Sequence, residues 1–175
     1  MSWEASDEKY SYSAILDKML SKKEWGELVD KYKPDEVFKE IGGFKWNLHD
    51  VCLNPKISFE YGEDKIGKPH LIIKTAMTAK NFWVVGIRCS CGMGGGLSSP
   101  VLYTVDKSYT WACASHQEAL MVGFARAIDS IMGDIAWHTH AKDVGDGVIK
   151  RAKDFLEIIK NERYKRTYKE LSLWE

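Results

Sequence analysis

The chain lacks the features that mark most specialised protein classes. No run of roughly 18 apolar residues is present, so no segment is expected to span a bilayer. Neither charge is in excess, with 25 basic side chains against 25 acidic ones, so no global field draws the chain to nucleic acid or an anionic membrane. A basic partner surface must therefore be local. The opening residues, Met1 to Glu8, carry early acids and no apolar stretch of the secretory kind, which places the expected location in the cytoplasm. Cysteine is sparse, and the four thiols (Cys52, Cys89, Cys91 and Cys113) are expected to be reduced there.

The 175 residues, 45% hydrophobic and 12% aromatic, suit a globular chain with a proper core. With no internal repeat and no low-complexity linker, a single α+β domain over 1–175 is the economical expectation. Residues 1–10 are polar and expected to fray. Apolar residues from Ala14 to Tyr32 recur at three- and four-residue spacing, which predicts two short helices. Pro34-Asp35, followed by Val37, Phe38 and Ile41 and stopped by Gly42-Gly43, predicts a third, so that 11–42 forms a helical N-terminal part.

Beyond Gly43 the period changes to two. Alternation at Phe44 to Leu48, Ile57 to Tyr61, Val101 to Val105 and Tyr109 to Cys113 predicts strands, as do the apolar runs Leu71 to Ile73 and Phe82 to Arg88. Residues 44–114 thus predict an antiparallel meander sheet of about five or six strands. Two long helices over 115–175 are expected to pack it. Ser115 and Glu118 form a capping box that starts the first, with a wide apolar stripe from Ala119 to Ile131, and Gly133 is expected to end it. Residues 134–142 read as a connection. The second helix, starting near Asp143 or Asp146, carries Val148, Ala152, Phe155, Leu156 and Ile159 on one face.

The stretch most open to function is Cys89-Ser90-Cys91-Gly92-Met93-Gly94-Gly95-Gly96-Leu97-Ser98-Ser99-Pro100, read as a long mobile loop between strands. Its glycines free the backbone to approach a ligand or present N–H groups. It is neither a P-loop nor a dinucleotide turn, because no Gly-Lys-Ser/Thr is present and a strand follows it where those motifs need a helix. Candidate ligand-binding residues are Trp83, Arg88, Gly94, Gly95, Gly96, Ser98, Ser99 and Trp111. Alanines at Gly94, Gly95 and Gly96 are expected to spare the fold.

Cys89-x-Cys91 with Cys113-x-x-His116 supplies four ligands of the kinds zinc favours, though the first gap is shorter than usual. His138-x-His140, near Asp134 and Asp143, is a second candidate if the segment is extended and both rings share a face. Trp83, Tyr103, Tyr109 and Trp111 could stack bases, but sheet aromatics more often fill a core. The basic residues of the C-terminal helix are interleaved with acids, the usual pattern of a solvated face.

The order of elements from about Asp35 to Met132 has the outline of a double-stranded-RNA-binding domain, yet Ser115-His116-Gln117-Glu118-Ala119 stands where that family has its phosphate-gripping basic cluster. The middle third more closely resembles small proteins encoded by phages and mobile elements: Trp83 in an aromatic strand, Gly94-Gly95-Gly96, Ser99-Pro100, then Ser115-x-x-Glu118-Ala119. That resemblance implies an accessory role and no particular reaction. The leading expectation is therefore a non-enzymatic accessory protein that binds a nucleotide, single-stranded nucleic acid or host protein through the Gly-rich loop, without a cofactor. Alternatives are a small zinc-dependent enzyme acting on nucleic acid or nucleotides, and a homo-oligomer pairing through Tyr164, Tyr168 and Leu171.

Overall fold

The computed structural model describes residues 3–4, 30–78, 82–100 and 111–171. They form an α+β fold of eight strands and two long helices. The strands are β1 (Trp3–Glu4), β2 (Lys39–Ile41), β3 (Phe44–Trp46), β4 (Lys56–Gly62), β5 (Pro69–Met77), β6 (Trp83–Cys91), β7 (Gly95–Leu97) and β8 (Trp111–Ala112). The helices are α1 (His116–Ala141) and α2 (Asp146–Leu171). β4-β5-β6-β7 make a four-stranded sheet in which β6 and β7 pair antiparallel; β2-β3 and β1-β8 are antiparallel pairs. The helices expected as far as Tyr32 lie outside the described residues except for 30–32, of which 30–31 are helical, and the strand expected over 101–105 lies wholly outside them.

The chain groups into two compact units. The first comprises Met1–Lys56, Lys74–Gly86 and Ser99–Ala119; the second comprises Ile57–Ile73, Ile87–Ser98 and Leu120–Glu175.

In the first unit, the segment expected to be a third short helix is instead the β2-β3 hairpin. Ile41 pairs with Phe44 across Gly42 (φ 56°) and Gly43 (φ 82°), the two consecutive left-handed residues that a type I′ turn demands. Gly-Gly here reverses a strand, where the sequence predicts a helix cap. Trp46, Cys52, Ala76 and Val84 are buried together, with Ile41 and Phe44 packed against them. The strand expected as far as Leu48 stops at Trp46, because the Asn47 side chain takes over the local hydrogen bonding. Its Oδ1 accepts from the amides of His49 and Val51, and its Nδ2 donates to Pro34 O. Asp50, wholly buried with φ 59°, is held in that turn and receives Lys39 Nζ at 2.5 Å.

In the second unit, Phe59 of β4 meets Phe124 of α1 at 4.8 Å between centroids, and Tyr61 meets Phe155 of α2 at 5.7 Å. Leu120, Phe124, Ala127, Ile131, Ala152, Phe155 and Ile159 are buried, which is the expected pair of apolar stripes. The capping box forms in part: Ser115 Oγ accepts Glu118 N at 3.0 Å, while Glu118 reaches back one residue further than usual, to Ala114 N. Gly133 does not end α1. A glycine stops a helix by adopting positive φ just past the last turn, and here Lys142 does so (φ 53°), leaving Gly133 and residues 134–141 helical.

Candidate functional site

The Gly-rich segment is a compact hairpin, not a long loop. β6 continues through Cys89 to Cys91, and Ser90 pairs with Gly95, Cys89 with Gly96 and Arg88 with Leu97. Gly92 (φ 86°) and Met93 close the turn, which places glycine at the first central position as a type II′ turn requires. Ser90 Oγ accepts Gly92 N at 3.1 Å, and Cys91 N donates to Gly94 O at 3.3 Å. Ser98 finishes the ladder: its Oγ accepts Ile87 N at 2.9 Å and its N donates to Ile87 O. Glycine is needed here for close approach. A Cβ on Gly95 would sit 2.4 Å from Cys89 O, and one on Gly94 would sit 3.2 Å from the Asp134 carboxylate. The expectation that alanines at all three glycines spare the fold is thereby corrected.

Cys89 and Cys91 are buried. Burial pushes the Cys89 thiol up to about 12, with smaller contributions from Cys91 and the Asp134 carboxylate. Burial likewise raises Cys91, whose Sγ lies 3.5 Å from Asp134 Oδ2. Thiols held protonated and out of solvent are poor nucleophiles. Cys89 and Cys91 belong to the second unit, whereas Cys113 and His116 belong to the first. Cys113 pairs its backbone with that of Trp83, and the His116 ring meets the Trp83 ring at 4.8 Å. Burial, and secondarily Lys56, lowers His116.

Arg88, half exposed, donates to Asp64 Oδ2 at 2.8 Å, and Asp64 Oδ1 lies 3.3 Å from His70 Nε2. This resembles an acid–base pair, but His70 Nδ1 is also occupied, 3.3 Å from Lys68 O. Each ring nitrogen faces an acceptor oxygen of the 64–68 segment, to one of which a neutral ring can donate, and the ring is buried, so His70 fastens that loop. Trp83 is half-buried between Phe44 and His116, Ser99 is exposed, and the Trp111 side chain lies outside the described residues. Of the candidate binding residues, Arg88, Gly94, Gly95, Gly96 and Ser98 share the β6-β7 hairpin; Trp83, Ser99 and Trp111 fall in the other unit.

His138 and His140 lie in the last turns of a helix, so two residues' separation turns them about 200° apart instead of onto one face. His138 Nδ1 contacts Asp143 Oδ1 at 2.7 Å. Among the described residues, no three His, Cys, Asp or Glu side chains come together in a way that could hold a metal ion.

The second unit carries one feature that the interleaved charges concealed. Between α1 and α2, Ile128, Lys160, Arg163, Tyr164 and Thr167 line an open groove of about 310 Å³. Ile128 supplies its apolar floor, and Tyr164 is 60% exposed. Lys160 Nζ pairs with Glu157 at 2.7 Å, and Glu162 engages Lys165 and Arg166. The Arg163 guanidinium makes no ion pair with any described residue. Thr167 Oγ1 donates to Arg163 O at 3.0 Å, so its lone pairs remain available to a donor. Helical spacing of 160, 163, 164 and 167 was legible, but only the fold shows that Ile128 closes the groove.

No known relative is found. Comparison of the chain with protein-family models, with curated proteins and with solved structures gives no match. The site must therefore be read from its own chemistry. No helix among the described residues is long and apolar enough to cross a membrane.

Proposed function

We propose that this chain is a non-enzymatic accessory protein that binds a small phosphate-bearing aromatic ligand, of the nucleotide kind, in the groove between α1 and α2. The observation that carries this is Arg163, a cation without an ion pair among the described residues, beside the exposed Tyr164 ring in a cavity of about 310 Å³. That volume falls at the lower end of small-ligand sites. An unengaged guanidinium suits a phosphate bidentately, and a tyrosine face stacks a base whatever its identity. Lys160 adds charge, since an exposed pair with Glu157 contributes little and yields readily to a dianion. The Gly-rich hairpin supports ligand capture less well. Its glycines face Asp134 and the Cys89 carbonyl, so the close approaches they permit are already taken by the chain itself. The resemblance of the middle third to phage and mobile-element proteins accords with an accessory role.

The test is calorimetric titration of the full chain with adenosine diphosphate at low and moderate salt. Binding is expected, weakened by added salt, and weakened about tenfold or more by Arg163→Gln and by Tyr164→Ala. Wild-type protein that takes up no nucleotide, or variants that bind as wild type does, would sink the reading.

A further inference from the structure

The four α2 residues that line the groove differ in what they offer along the helix axis. At about 1.5 Å of rise per residue, Lys160 and Thr167 stand roughly 10 Å apart, with Arg163 and Tyr164 between them. Long helical side chains lean towards the N-terminus of their helix, which carries both cationic heads away from Thr167. The groove therefore has a cationic end, an aromatic middle and, at its other end, a small aliphatic hydroxyl.

Thr167 Oγ1 has an acceptor of the chain on two sides, the Arg163 carbonyl at 3.0 Å and the Met121 sulfur of α1 at 3.5 Å. A hydroxyl has one proton and two lone pairs. Either acceptor takes the proton, so what the oxygen presents to the groove is a lone pair. A ligand donor gains a hydrogen bond there. A ligand acceptor must draw the proton away from both partners or stand oxygen against oxygen, and a polar group left unpaired in this way costs affinity.

The Tyr164 ring cannot choose between bases, because every base has a face to stack. Their edges do differ. Adenine and cytosine carry an exocyclic amino donor where guanine and thymine carry a carbonyl acceptor. With the phosphate at the end of Lys160 and Arg163 and the base on Tyr164, the sugar lies between the two. The part of the ligand nearest Thr167 is then the base edge that carries this amino or carbonyl group.

We propose that Thr167 is the specificity-determining residue of the groove and selects nucleotides whose base bears the amino group, adenine or cytosine, over those with a carbonyl in its place. This rests on the nucleotide reading of the groove and adds to it the class of base. Lys160 and Arg163 supply attraction common to all nucleotides, Tyr164 supplies stacking common to all bases, and Thr167 accepts the one hydrogen bond that only some of them can give.

Adenosine and inosine diphosphates present the amino group and the carbonyl, respectively, on otherwise closely similar molecules, so calorimetric titration of the full chain with each decides the matter. The adenosine compound is expected to bind about tenfold or more tightly, and cytidine diphosphate to exceed uridine diphosphate in the same way. Thr167 is exposed, so its variants are expected to leave the circular dichroism unchanged. Thr167→Val, which keeps the branched shape and removes the hydroxyl, should weaken the adenosine compound until the two bind alike. Thr167→Ser should restore the preference. Equal binding of the two by wild type overturns the proposal while the nucleotide reading stands, and so does a preference that survives Thr167→Val. Failure of every nucleotide to bind overturns the groove reading itself, and this inference with it.

Discussion

The carboxylate of Asp134 accepts a hydrogen bond from the Cys91 thiol at 3.5 Å, and its oxygens lie 3.2 to 3.3 Å from where a Gly94 side chain would begin. One acid on α1 thus covers the turn of the β6-β7 hairpin and limits what can stand there.

The three consecutive glycines should differ in their tolerance of alanine. Gly95→Ala drives a methyl against a backbone carbonyl and is expected to cost about 1–3 kcal/mol, as overpacking does. Gly94→Ala should cost less, because a side-chain carboxylate can yield. Gly96→Ala meets only Ser130 Oγ at 3.7 Å and should be nearly neutral. Urea unfolding of the three variants checks the order, and equal losses would refute it.

Stability should fall in alkali. The Cys89 thiol is raised from 9.0 to about 12 and Cys52 from 9.0 to about 11, so both bind protons more tightly folded than unfolded. That contribution is complete below pH 9 and is lost as pH climbs towards 11–12. For Cys89 alone the loss by pH 10 is on the order of 1 kcal/mol. Lys39, lowered by burial, acts in the opposite sense as pH approaches 10.5. Denaturant midpoints between pH 8 and 10.5 should fall less steeply in Cys89→Ala than in wild type, and parallel slopes would remove Cys89 as the cause.

Mild acid should also destabilise the protein. His116 is lowered below 6.5, so the folded chain binds its proton less readily than the unfolded one, and stability is lost as pH falls through 6.5 towards the folded value. Replacing it as His116→Gln should flatten unfolding midpoints between pH 7.5 and 5. The Cε1 proton of His116 in wild type should titrate below the free-histidine range; an ordinary titration would exclude this group.

Arg166 lies over two rings, with its guanidinium 5.0 Å from the Phe59 centroid and 6.0 Å from that of Phe124. Arg166→Ala is expected to cost about 1–2 kcal/mol and Arg166→Lys about half as much, since lysine keeps the charge without the planar stack. Thermal unfolding distinguishes this from a surface ion pair with Glu162, for which 0.5 M salt should erase most of the loss.

Long periodic segments were legible in the sequence because one interaction dominates each. The stripes from Ala119 to Ile131 and Ala152 to Ile159 face sheet side chains, and burial fixes both period and element type. Glycines misled because a glycine's role depends on its φ, which neighbours set. Gly42-Gly43 made a hairpin where a cap was expected, and Gly133 stayed helical where a stop was expected. The 134–142 segment read as a connection because its exposed Trp137 and histidines broke the apolar stripe. The groove was invisible for a different reason. Arg163 and Tyr164 are ordinary helix-surface residues until Ile128, far away in sequence, is brought beneath them.

The β2-β3 hairpin bears on how the chain begins to fold. Lys39 and Trp46 are its most distant partners, only seven residues apart, and the turn between the strands has two residues of the kind that close readily. Such hairpins form in about 1–10 µs, and contacts so local sacrifice little loop entropy. Trp46, buried at the end of that hairpin, is thus available early as a hydrophobic nucleus on which Cys52, Ala76 and Val84 can later collect. Slowing this turn, as Gly43→Val would, should delay the whole first unit more than its equilibrium stability alone suggests.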